Sequence, residues 1–271
     1  MKSVKVLMAV LGMALLVGCS STTTAPAEST EVVETADQLA AIKEKGVMVV
    51  ACEGVYAPWN YHDEEDNLVG YDVEVGKLIG EKLGVEVQFE ECEWDAIFAG
   101  IDAGRYDMAI ASVTVTDERK EKYAFSDPYA YMKTVVIVNG DNEDITSMED
   151  LEGKVTANTI SSTYAQIAES FGAEVTAVDD LGQTIELLLN NRCDATLNAD
   201  VTFYDYMNAH PEANVKIACA AEDVEVAAIP VRPEGSEALV QAINDALVQL
   251  AEEGKLSELS NKYFGGDISH N

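Results

Sequence analysis

From Gly46 onward the chain alternates short apolar runs with segments of helical spacing, and it does so twice. Residues 47–51 form an apolar run, 71–83 place Val75, Leu78, Ile79 and Leu83 at helical intervals, and 85–89 alternate like a strand. Residues 94–103 are helical again and 108–111 apolar. The second half repeats the scheme, with strands predicted at 154–157, 174–178 and 195–198 and helices at 163–171, 181–190 and 201–208. Such alternation predicts an α/β fold with mainly parallel sheets flanked by helices. A local echo supports two lobes of one design: Gly104-Arg105-Tyr106-Asp107-Met108 and Asn191-Arg192-Cys193-Asp194-Ala195 each close a helix and open a strand. Two further apolar runs, 134–138 and 224–231, are read as strands crossing between the lobes, and 236–264 as two helices. The boundaries predicted are 37–133 with 226–271 for lobe 1, and 134–225 for lobe 2. Ligands of α/β sheets bind beyond the carboxyl ends of the strands, which places a site in the cleft between the lobes.

The amino terminus carries a different signal. Lys2 and Lys5 precede an apolar run over 6–17, shorter than the roughly 20 residues of a membrane span, and this is the pattern of a secretory signal. It ends in Leu16-Val17-Gly18-Cys19, which resembles the bacterial lipobox, whose cysteine takes up diacylglycerol and becomes the first residue. The expectation is a signal peptide over 1–18 and lipid on Cys19. Residues 19–36, rich in Ser, Thr, Pro and Glu, then form a flexible tether with too few large apolar side chains to join a core. Several acyl chains hold a protein stably at a membrane where one holds it marginally, so an extracytoplasmic protein anchored to the cell membrane is predicted.

Composition excludes some classes. Apolar residues make up 48% of the 271, enough for a substantial core, and the net charge is −32, which repels phosphate backbones and disfavours nucleic acid. Cys52, Cys92, Cys193 and Cys219 allow three pairings, but none has C-x-x-C spacing, and small buried apolar residues are the favoured reading. Cys52 and Cys92 each end a predicted strand and are expected near one another. His62, His210 and His270 are scattered and suggest no metal site.

Six motifs in order resemble the polar amino-acid-binding proteins of ABC importers, bacterial solute-binding protein family 3. They are Tyr56-Ala57-Pro58-Trp59 with Asn67-Leu68-Val69-Gly70-Tyr71-Asp72, then Trp94-Asp95-Ala96-Ile97-Phe98, Ser112 to Arg119, Ala124 to Tyr129, Ser161-Ser162-Thr163-Tyr164, and Lys262-Tyr263-Phe264-Gly265. The resemblance covers nearly all of the chain after the tether. It implies the two-lobed periplasmic-binding-protein fold, a monomer that delivers an amino acid to the importer's membrane subunits, and no cofactor.

The resemblance also assigns roles. Arg119, one of four arginines, matches the residue that grips the ligand's α-carboxylate, a task suited to its planar fork. Ser112 and Thr114 match ligand-contacting positions of the first lobe, and Ser162 and Thr163 those of the second, at a predicted helix start where free N–H groups favour an anion. Tyr56 and Trp94 match the aromatic wall, while Trp59 is read as structural. Glu53 matches an acid that meets the side chain in basic-amino-acid binders, so a basic or cystine-like ligand suits the pocket. The family's ammonium-binding aspartate is displaced: Asp194-Ala195-Thr196-Leu197-Asn198 leads to Ala199, and the acid, Asp200, comes one residue late. Either Asp200 turns in from the next helix or Asn198 supplies a carbonyl acceptor.

Two rival classes remain. Dehydratases of prephenate-like acids share this fold, but no G-x-S-x-G, H-E-x-x-H or glycine-rich phosphate loop is present. A sensor ectodomain would need a transmembrane helix and a signalling domain, and neither follows before Asn271.

Overall fold

The computed structural model describes residues 37–271. The predicted signal peptide, Cys19 and the tether lie outside the described residues. Asp37 caps α1 (Gln38–Lys45), its carboxylate accepting from the Ala40 amide, and Gly46 closes the helix in the left-handed conformation. Next come β1 (Val47–Cys52) and a small antiparallel meander of β2 (Val55–Tyr56), β3 (Asn60–His62) and β4 (Leu68–Val69). They lead to α2 (Tyr71–Leu83), β5 (Glu86–Glu91), α3 (Trp94–Asp102) and β6 (Met108–Ala109).

In the first lobe β1 lies between β5 and β6, parallel to both. It is apolar throughout because a central parallel strand is covered on both faces. Tyr71, Val75 and Ile79 recur at four-residue intervals on α2 and pack with Met48 and Val50 of β1.

After α4 (Asp117–Lys120) and β7 (Ala124–Phe125), β8 (Ala130–Asn139) carries the chain into the second lobe. There β9 (Val155–Asn158), α5 (Thr163–Ser170), β10 (Glu174–Ala177), α6 (Leu181–Leu189), β11 (Ala195–Ala199) and α7 (Asp200–Ala209) alternate. The long β12 (Val215–Ala227) returns the chain. β13 (Pro230–Val231) then pairs with β7, and α8 (Glu237–Glu252) and α9 (Lys255–Phe264) cover the first-lobe core. The second sheet has the order β10-β9-β11-β8-β12, with β8 antiparallel to both neighbours.

β8 passes from one core to another within a few residues. Ala130 and Met132 pack with the first-lobe core, whereas Val135 and Ile137 lie in one second-lobe cluster and Val136 and Val138 in another. β12 makes the reverse passage from Val215 to Ala227. The strand predicted at 224–231 is therefore corrected: the crossing strand begins at Val215 and ends at Ala227, and Pro230–Val231 is a separate strand. Register shifts after Ile217 and after Ala220 break the alternation, so the apolar pattern marked only the end of β12.

The sequence echo has a structural counterpart. Gly104 and Asn191 both take positive φ, 66° and 51°. Asp107 and Asp194 then each clasp a core strand twice. The Asp107 amide donates to the Val49 carbonyl and its Oδ2 accepts from the Val49 amide at 2.7 Å; Asp194 does the same to Val155, its Oδ2 accepting at 2.8 Å. The Cys92 amide donates to the Cys52 carbonyl at 2.9 Å, so the two residues are neighbours, and all four cysteines of the described residues are free thiols.

Candidate functional site

A cavity of about 630 Å³, counting its mouth, lies between the lobes, within the range of small-molecule sites. Of the nine residues singled out in the sequence, Glu53, Tyr56, Trp94, Ser112, Thr114, Ser162 and Thr163 line it. Arg119 lies beside it, and Asp200 points elsewhere.

The first-lobe wall is organised around a buried carboxylate. Asp72, in the first turn of α2, accepts from Asn60 Nδ2 at 2.9 Å and from the Tyr129 hydroxyl at 2.7 Å. Asn60 Oδ1 in turn accepts from the amides of Glu53 and Gly54, both at 2.9 Å, and fixes the turn that presents Glu53. The Tyr129 hydroxyl accepts from the Ser112 amide at 3.2 Å, steadying Ser112 in a left-handed conformation (φ 47°) that non-glycine residues rarely adopt. Burial pushes Asp72 up to about 6, although its hydrogen bonds pull the other way. Burial, reinforced by Asp72 and Asp180, pushes Glu53 up to about 7.

Arg119 sits on the short α4, whose cap Thr116 accepts from the Arg119 amide. The guanidinium packs over Trp94 and Phe98, at 5.3 and 5.1 Å from their ring centroids. It donates to the Thr114 carbonyl at 2.8 Å and, across the cleft, to the Ser161 carbonyl at 3.4 Å. Two of its five N–H groups are thus committed and three remain for an anion. Glu225 of β12, only 8% exposed, accepts from the hydroxyls of Thr114 and Thr134. Burial raises its pKa against those hydrogen bonds and Arg119.

In the second lobe, Ser162 caps α5, its Oγ accepting from the Ala165 amide, and Thr163 opens the helix at the cavity. Thr163 meets Thr114 across the cleft at 3.2 Å. Asn198 also lines the cavity, and its Oδ1 accepts from the Tyr56 hydroxyl at 2.7 Å. Asp200 begins α7 with its Oδ1 accepting from the amides of Lys133 and Val201 at 3.2 and 2.9 Å. Of the two acceptors left open by the sequence, the cavity therefore holds Asn198. Strand side chains alternate between faces, so the residue after Asn198 turns away and the helix start carries Asp200 to β8. Trp59, read as structural, is fully buried, and its indole N–H donates to Thr202.

Asn158, Tyr164, Asp180 and Glu225 were not anticipated. Asp180 announces itself in sequence only as a helix cap, which it is, accepting from the Gln183 amide at 2.9 Å. Glu225 had a signal: an acid within the alternating Val224-Glu225-Val226-Ala227 stretch of a crossing strand. Among the described residues, no cluster of His, Cys, Asp or Glu is arranged to hold a metal ion.

A family model for bacterial extracellular solute-binding proteins, family 3, matches residues 48–266. The L-cystine-binding protein TcyA of Bacillus subtilis (strain 168) is 39% identical over 234 residues, covering 86% of this chain and 87% of that protein. Among solved structures, an ancestral arginine-binding protein bound to arginine has a TM-score of 0.76 at 33% identity, over 81% of this chain and 99% of that one. The L-cystine solute receptor of Neisseria gonorrhoeae in its unliganded open conformation has a TM-score of 0.60 at 35% identity, over 88% of this chain and 100% of that one. The shape thus resembles the liganded structure more than the open one, in keeping with the hydrogen bonds that span the cleft.

Proposed function

Because the chain belongs to the bacterial extracellular solute-binding proteins of family 3, we propose that it captures a free amino acid in the interlobe cavity and delivers it to an ABC importer. The observation that carries this reading is the charge layout: a half-committed guanidinium at one end of a closed cleft and unneutralised carboxylates elsewhere on its wall. The ligand's carboxylate meets Arg119, assisted by Thr114 and the amino end of α5, where unpaired N–H groups favour an anion. Its ammonium group turns to the acceptor Asn198 rather than to Asp200. Tyr56 and Trp94 flank the ligand's body. A ligand with a positively charged or cystine-like side chain suits Glu53, and the relatives named for cystine and arginine support that choice.

Closure is the working stroke. Ligand contacts available only when both lobes touch shift the population to the closed form, which then docks on the importer's membrane subunits. The protein works outside the cytoplasm as a monomer, tethered through lipid on Cys19, and binds rather than transforms its ligand. Calorimetry against the common amino acids and L-cystine is the decisive experiment: one or a few tight ligands are expected, and none would overturn the reading. Turnover of a prephenate-type acid would install the enzyme instead. Replacing Cys19 by Ala should release the protein from the membrane fraction; continued retention would remove the lipid anchor.

A further inference from the structure

Glu53 and Asp180 approach the cavity from opposite lobes. Glu53 follows β1 of the first, and Asp180 caps α6 of the second. Asp179 lines the cavity beside Asp180, while no lysine, arginine or histidine among the described residues does. The Glu53 carboxylate accepts no hydrogen bond and forms no ion pair among the described residues; only its amide is engaged, by Asn60. An enclosed carboxylate without a donor is costly, and such groups mark places where something else binds. Asp180 accepts from the Gln183 amide and side chain at 2.9 and 2.6 Å, which leaves part of its capacity of about four hydrogen bonds.

We propose that Asp180 and Glu53 together form a subsite for a positively charged nitrogen at the far end of the ligand, and that this subsite makes lobe closure depend on the ligand's charge. The proposal rests on the amino-acid reading above. Opening the cleft separates the two acids, and closing it brings like charges together where water is scarce, which is unfavourable unless a cation lies between them. A ligand ending in an ammonium or guanidinium group supplies that cation. A neutral-ended ligand does not, and the closed state must then take up a proton on Glu53. The other titratable groups facing Glu53 are Asp72 from α2, the Tyr56 phenol from β2, the Cys52 thiol at the end of β1 and the Cys92 thiol after β5, none of which is cationic.

The test is calorimetry at neutral pH in buffers of different ionisation enthalpy, with L-arginine, L-cystine and L-glutamine, on the wild type, Asp180→Ser and Glu53→Gln. Serine preserves the cap of α6 while removing the charge. The tightest ligand is expected to be arginine or cystine and to bind without proton uptake. Asp180→Ser should weaken it by about tenfold or more while leaving glutamine unchanged or binding it more tightly, because the like-charge cost of closure is relieved. Glutamine binding, where measurable, should take up a proton in the wild type and not in Glu53→Gln. Tightest binding of glutamine, or equal weakening of all ligands by Asp180→Ser, would overturn the subsite alone. Absence of binding by every amino acid would overturn the receptor reading and the subsite with it.

Discussion

Tyr56 and Asn198 meet across the cleft, the phenol hydroxyl donating to the amide oxygen at 2.7 Å. The contact ends a relay in which the Trp59 indole donates to Thr202 and Thr202 donates to Tyr56. Removing the hydroxyl with Tyr56→Phe leaves the aromatic wall in place and deletes two bonds of the closed form, the one to Asn198 and the longer one from Thr202. A net hydrogen bond contributes about 1 kcal/mol, so ligand affinity should fall by about fivefold to thirtyfold with little change in melting temperature. Small-angle scattering of the unliganded variant should show a more open average form.

Arg119→Lys keeps the charge and removes the planar fork. It should weaken amino-acid binding by about tenfold, and Arg119→Ala by about a hundredfold or more, as expected for a buried charge partner. Titration calorimetry measures both. Because lysine cannot reproduce the bonds to the Thr114 and Ser161 carbonyls together, the Lys variant should also close less readily.

Gly70 has φ 128°, and a Cβ there would stand 2.2 Å from the Trp59 carbonyl oxygen. The Tyr71 and Asp72 amides that follow donate to the Pro58 and Trp59 carbonyls, so the chain has no room to retreat. Gly70→Ala should cost about 3 kcal/mol or more, read as a large fall in the urea midpoint.

Two acids of the first-lobe wall, the half-buried Glu53 and the buried Asp72, set a direction for stability against pH. Glu53 rises from 4.5 to about 7, and Asp72 from 3.8 to about 6. Between each ordinary value and its native value, the folded protein holds a proton that the unfolded chain has released. Their contributions therefore decline as pH rises through that window and are level above about 7. Each is on the order of a few kcal/mol, at about 1.4 kcal/mol per pKa unit. Glu53→Gln should be more stable than the wild type at pH ~7, with the advantage shrinking towards pH ~5. Urea unfolding at the two values checks it.

Long periodic segments were legible in the sequence. The predicted helix at Tyr71–Leu83 is the one observed, because three turns of apolar spacing end at a glycine. The meander of β2, β3 and β4 was not legible, since strands of two or three residues are too short to display a period. α1 went unread because only Gln38 and Ile42 of its eight residues are buried. At the site, motif order brought seven residues to one cavity, but Asp180 and Glu225 owe their places to contacts between segments far apart in the chain. Asp200 shows the opposite failure: one inserted position moved an acid from a strand end to a helix start, where main-chain amides claim it.

The paired clasps of Asp107 on Val49 and Asp194 on Val155 bear on how the molecule can move. Each locks a central strand to the segment that ends the preceding helix, inside its own lobe. Capture then works as two stiff jaws on a strap of two strands, with mechanical work confined to β8 and β12. A lesion in either clasp should soften one jaw and leave the other intact, so damage to grip and damage to swing are separable by position along the chain.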